Sequence, residues 1–99
     1  MSYRVRIREK AEQDVMAQQD WHEQLRAGLG LAFTEEFEPA VAVLEQTPLI
    51  YPVIHRSVRR AVLRRFPHLL WFRISGKLVT ILACTHGRRD PAAVRQHLS

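Results

Sequence analysis

Residues 78–86 read Leu-Val-Thr-Ile-Leu-Ala-Cys-Thr-His, and no other stretch restricts the fold as much. Alternate side chains of a strand point to opposite faces. Val79, Ile81 and Ala83 then face one way, and Leu78, Leu82, Cys84 and His86 the other, so this strand (about 78–85) is apolar on both sides. Such a strand belongs in the interior of a sheet with both faces at least partly covered.

Partners for it lie on either side in the sequence. Residues 75–77, Ser-Gly-Lys, form a tight hairpin in which Gly76 supplies a positive backbone angle, joining a strand at about 69–75. A further strand at about 57–65 completes a three-stranded antiparallel meander. At the other end of the chain Tyr3, Val5 and Ile7 alternate with Arg4, Arg6 and Arg8, the pattern of a strand with one buried face.

Between these strands the period changes. From about residue 9 to 26 there is no Gly or Pro, and Ala11, Val15, Trp21 and Leu25 approximate a helical stripe. Gly28, within Ala27-Gly28-Leu29-Gly30, is placed to end that helix in a left-handed conformation. Phe33, Phe37, Ala40, Val41 and Leu44 then form the stripe of a second helix at about 29–46, antiparallel to the first. Pro39 inside it lacks the N–H that would bond the Glu35 carbonyl and predicts a kink or a break. Residues 47–55, with Pro48 and Pro52, read as a loop containing a turn at residues 48–51, because proline donates no ladder hydrogen bond. Asp90 as N-cap and Pro91 at the first helical position predict a short terminal helix at about 91–97. The sum is one α+β domain over residues 1–99.

Composition narrows the function classes. The 99 residues carry a formal net charge of +5, and Lys10 and Lys77 are the only lysines, so arginine supplies nearly all the excess. Guanidinium forks suit carboxylates and phosphates, which points to acidic protein or nucleic acid as partner. Cys84 is the sole cysteine, excluding an internal disulfide, and the N-terminus lacks the apolar core of a signal peptide. No apolar run approaches the roughly 20 residues that span a bilayer. A cytoplasmic protein with no membrane contact is expected.

Taken in order, Val5 to Ile7, Ala11 and Asp14, Trp21-His22-Glu23, Gly28 and Phe33, Pro48, Arg59-Arg60, Arg65-Phe66-Pro67 and His86-Gly87-Arg88-Arg89-Asp90-Pro91 resemble the ParE branch of the ParE/RelE toxin superfamily, over essentially the whole chain. The resemblance implies a bacterial, plasmid-stabilisation type of toxin–antitoxin module and a RelE/ParE-like fold. It implies a toxin silenced by a ParD-type antitoxin, which alone contacts operator DNA, so that the toxin meets that DNA only indirectly. ParE proteins are described as trapping cleaved DNA on DNA gyrase, whereas RelE proteins cut mRNA on the ribosome. Three positions depart from the family pattern: His68 stands where a Tyr often follows Phe-Pro, Phe72 replaces a frequent Tyr, and Val94 a frequent aromatic.

The candidate site residues follow. Arg59, Arg60, Arg64 and Arg65, with Arg88 and Arg89, are candidates for antitoxin or target binding. If the pairs lie in a strand, each sends one guanidinium to each face. A ribonuclease would need a base, an acid and cations at the phosphate. His86 with Arg88 and Arg89 offers part of that set, and Tyr51 or His55 could stand in for the missing acid–base group. Alternatively His86 bonds Asp90 and holds the terminal helix. The sequence therefore favours a binding toxin over an enzyme, with an mRNA endonuclease or a detoxified relative as the alternatives. No cofactor and no metal is expected: His22, His55, His68, His86 and His97 lack the close spacing of zinc sites. Trp21 and Trp71 read as core residues.

Overall fold

The computed structural model describes residues 2–65 and 68–87. The expected terminal helix, with Val94, Arg88, Arg89 and Asp90, lies outside the described residues. In chain order the elements are β1 (Arg4–Ile7), α1 (Glu9–Leu25), α2 (Leu29–Gln46), a 3-10 turn (Pro48–Ile50), β2 (Val53–His55), β3 (Val58–Val62), β4 (His68–Ser75) and β5 (Leu78–His86). The five strands form one sheet in the order β1-β5-β4-β3-β2. β1 is parallel to β5, and the remaining pairs are antiparallel. The strand that is apolar on both faces is internal, as its composition demands.

The two helices pack on one face of this sheet. Phe33, Phe37 and Leu44 of α2 and Ala11 of α1 close a core with Leu70 and Phe72 of β4 and Val79 and Ile81 of β5. A smaller cluster of Val58, Trp71, Leu82 and Ala83 lies on the second face, where the Trp71 indole N–H donates to Thr85 Oγ1 at 2.8 Å.

The helical hairpin turns on two glycines. Gly28 adopts φ 92° ahead of α2. An added Cβ on Gly30 would stand 3.0 Å from both the Gln19 carbonyl and the Glu23 carboxylate, so the helices meet where only hydrogen fits. Glu23 closes the corner by accepting the N–H groups of Gly28 and Gly30 at 3.0–3.1 Å.

Four sequence expectations need correction. First, of the two outcomes expected at Pro39 the break does not occur, since α2 is one helix through it. Glu35 and Pro39 both lie on its exposed side, where water can take the carbonyl that proline leaves without a donor. Second, the segment read as a loop holds the short edge strand β2, with Pro52 just before its first residue. The turn into β3 uses Arg56 at φ 53°, a left-handed conformation that costs a non-glycine residue about 1 kcal/mol. Third, Trp21 and Leu25 are 50% and 60% exposed; of the expected stripe α1 buries Ala11, and in place of those two it buries His22.

Fourth, β5 does not alternate as read. Trp71 pairs with Ala83 but Phe72 pairs with Ile81, so Leu82 is an extra residue, a β-bulge. Beyond it the facing reverses: Cys84 joins Val79 and Ile81 in the helix-side core, and Leu82 and Ala83 both join the second face. β5 also continues past the end of β1, and α1 takes over as its neighbour. Arg8 Nε donates to the Leu82 carbonyl at 2.8 Å, and the Cys84 N–H donates to Asp14 Oδ2 at 3.0 Å. Asp14→Ala leaves that buried N–H without an acceptor. It is expected to lower stability by about 1–3 kcal/mol in urea titrations, with a smaller loss for Asp14→Asn, which retains an acceptor oxygen.

Candidate functional site

The arginines split by position. Arg59 and Arg60 occupy neighbouring positions of β3 and point to opposite faces. Arg59 Nη1 donates to the Tyr51 carbonyl at 2.6 Å, bracing the chain between the 3-10 turn and β2. Arg60 lies over the Trp71 ring on the second face, 5.8 Å from its centroid. Arg64 and Arg65 are not on a strand, contrary to the sequence reading. They follow β3 in a bend whose two N–H groups donate to Glu36 Oε1 at 2.7 and 3.0 Å, and both residues are exposed. Beside Arg64 a cavity of about 320 Å³ opens between α2 and the end of β3, lined among others by Pro39, Ala40, Val43, Tyr51 and Val62. Val43 and Val62 are exposed at its rim. Of the six candidate arginines these four are described; Arg88 and Arg89 lie outside.

Charge is partitioned between the layers. Every acidic residue except Asp90 lies on α1 or α2, and the strands carry none. The strands hold Arg4, Arg6, Arg59, Arg60 and Arg73, and the connections between them Arg56, Arg64, Arg65 and Lys77. One layer is anionic and the other cationic.

At the end of β5 the structure assembles a cluster that the sequence reading missed. His86 pairs with His68 across β4 and β5, with ring centroids 5.4 Å apart. His68 is fully buried, and its Nε2 lies 3.0 Å from Nε2 of His22 on α1. Phe33 of α2 covers both rings, at 5.5 Å from His22 and 5.2 Å from His68. Burial pushes the His68 imidazole down to about 4, helped by the charges that His22 and His86 would carry and opposed by the Thr85 backbone. His22 is lowered too, by burial and then by His86. Both rings are therefore neutral at physiological pH. Cys84, close by in sequence, is pushed up to about 12 by burial and then by the Asp14 carboxylate, which leaves a protonated thiol and no nucleophile.

His86 thus stands in a group of imidazoles at a strand end. Tyr51 and His55, the other acid–base candidates, sit elsewhere: Tyr51 packs its ring against Phe72, and His55 ends β2. Among the described residues, no group of three or more His, Cys, Asp and Glu is arranged to hold a metal ion. No described helix is long and apolar enough to cross a membrane. The one signal for the cluster in the sequence was His22 beside an aromatic on α1. A stripe drawn through Trp21 placed it on the wrong side of the helix.

No protein-family model matches the chain, and no curated protein sequence matches it. Solved structures do. A chain of the chromosomal ParDE toxin–antitoxin system of P. aeruginosa shares 25% identity at a TM-score of 0.77, covering 86% of this chain and 96% of that one. A chain of the RelBE2 toxin–antitoxin complex of Mycobacterium tuberculosis shares 24% identity at a TM-score of 0.58, covering 87% and 99%. A two-helix layer on a five-stranded sheet is therefore a fold shared with components of toxin–antitoxin systems. Within that class, the chain has the fold of the ParE/RelE-type toxin superfamily.

Proposed function

We propose that the chain is the toxin of a type II toxin–antitoxin system, inhibiting growth by binding DNA gyrase and trapping its cleavage complex, and silenced by a ParD-type antitoxin. The observation that carries this reading is the likeness to the ParDE structure, which spans nearly all of that chain and is closer in shape than the RelBE2 likeness. The likeness to chains of two toxin–antitoxin systems supports a toxin with an antitoxin protein as its partner. Arg64 and Arg65, exposed beside the cavity rimmed by Val43 and Val62, suit an antitoxin segment with an apolar anchor flanked by carboxylates. Operator DNA is reached only through that antitoxin.

A second reading has its own observation. His86 is half-buried at the end of β5, next to Gly87 and ahead of Arg88 and Arg89, where an mRNA endonuclease would place a general acid or base. One experiment separates the readings. The chain is induced alone in bacteria, and trapped gyrase cleavage complexes and new mRNA ends within translated frames are measured. Gyrase trapping is the expected result. Codon-linked mRNA cuts without trapping overturn the gyrase reading in favour of the endonuclease, and normal growth with neither signal favours a detoxified relative.

A further inference from the structure

The far end of α1 is joined to the sheet by a contact that accommodates a fixed number of hydrogens. His22 and His68 face each other Nε2 to Nε2 at 3.0 Å, and both residues are buried. A neutral imidazole has one N–H and one bare nitrogen. A bond between the two Nε2 atoms uses one hydrogen, so the second hydrogen of a neutral pair sits on one Nδ1 or the other. His68 Nδ1 is buried with no hydrogen-bond partner, and a donor stranded there would forfeit the bond it makes in water. The second hydrogen therefore belongs on His22 Nδ1, with His68 donating through Nε2.

This arrangement has no place for a third hydrogen. Added to His68, it lands on the unpartnered Nδ1. Added to His22 Nε2, it meets the His68 N–H head-on, unless His68 moves its own hydrogen to Nδ1, which creates the same stranded donor. The surroundings act in both directions, with burial and the neighbouring rings outweighing the backbone. β5 contributes the His86 ring, whose charge would oppose another on His68, and the Thr85 backbone, which favours a proton there. α2 contributes the apolar ring of Phe33. On α1 the neighbouring Glu23 carboxylate is engaged by the N–H groups of Gly28 and Gly30.

We infer that His22, His68 and His86 form a proton-sensitive latch, which holds the end of α1 and the turn at residues 26–30 on the sheet while the rings are neutral and releases them locally when the cluster takes up a proton. The latch does not depend on which target the chain acts on. Its release would free the segment that carries the exposed Trp21 and Leu25, so contacts made there would weaken in acid.

The test uses the full chain, labelled with 15N. Long-range 1H–15N spectra of the imidazoles at pH 7.5 are expected to show His68 protonated on Nε2 and His22 on Nδ1. Amide-exchange protection at His22 and Leu25, corrected for intrinsic rates, is expected to fall up to about tenfold per pH unit below about 6.5, the slope for uptake of one proton. Amides of Ile74 and Val79, which open only with the whole domain, should stay better protected than His22 and Leu25 throughout that range. His68→Phe should abolish the fall; if that variant does not fold, His22→Phe carries the same comparison. A hydrogen on His68 Nδ1 at pH 7.5, protection at His22 and Leu25 that stays flat between pH 6.5 and 4.5, or protection there equal to that of Ile74 and Val79 across the range overturns the latch.

Discussion

Phe33→Ala is expected to lower the stability of the chain by about 3–5 kcal/mol, the usual cost of deleting a fully buried aromatic ring. Phe33 is the largest side chain of α2 with no exposed surface. It stacks on His22, lies edge-on to His68 and packs near Phe37, so one ring joins both helices to β4. A domain of this size has a total margin of about 5–15 kcal/mol, and the variant should therefore unfold at a far lower urea concentration or fail to accumulate. Val43→Ala, at the exposed rim of the α2 cavity, is the control and should change stability by roughly 0.5 kcal/mol or less. A Phe33→Ala loss no larger than that of the control would mean that α2 does not pack in this register.

Acid should destabilise the whole domain through the same cluster. An unfolded histidine titrates near 6.5, whereas burial, and then the charges of His22 and His86, hold His68 at about 4. The unfolded chain therefore binds more protons between these values, and stability must fall as pH falls through that window. The contribution of His68 is complete above about pH 6.5 and is lost progressively toward pH 4. Integrated over the shift it amounts to about 3 kcal/mol, and the lowered His22 acts in the same direction. Urea midpoints at pH 7, 5.5 and 4 measure it. His68→Phe separates this effect from carboxylate titration, because the variant should retain only the shallower slope that the acidic residues impose. Equal slopes in the two proteins would show that His68 is not the group responsible.

Much of the architecture was legible because it rests on period and punctuation. The bounds of α2 follow from the stripe running from Phe33 to Leu44 and from Gly28, whose φ of 92° is the conformation expected of it. The β4–β5 hairpin follows from Gly76, at φ 59°. What escaped was whatever breaks a period or depends on distant partners. The bulge at Leu82 shifts every later side chain of β5 to the opposite face, and alternation alone contains no sign of it. It is that shift which puts His86 on the same side as His68. β2 is short, and its pairing with β3 outweighs the presence of Pro52. His22 and His68 are 46 positions apart, and their contact arises only when α1 crosses the start of β4. The arginine run was legible as charge but not as structure. Arg59 braces a turn and Arg60 covers an indole, while Arg64 and Arg65 leave the strand because Glu36 captures their backbone.

The segregation of carboxylates onto the helices and guanidiniums onto the sheet bears on timing as well as on contact. A molecule charged in this way carries a permanent dipole across its two layers and is turned by an approaching partner before the two surfaces touch. An anionic partner arrives on average at the sheet side and a cationic one at the helices, which shortens the search for the productive orientation. Added salt should therefore slow association with either partner far more than it speeds dissociation. The ionic-strength dependence of the on-rate then reports which layer each partner meets first.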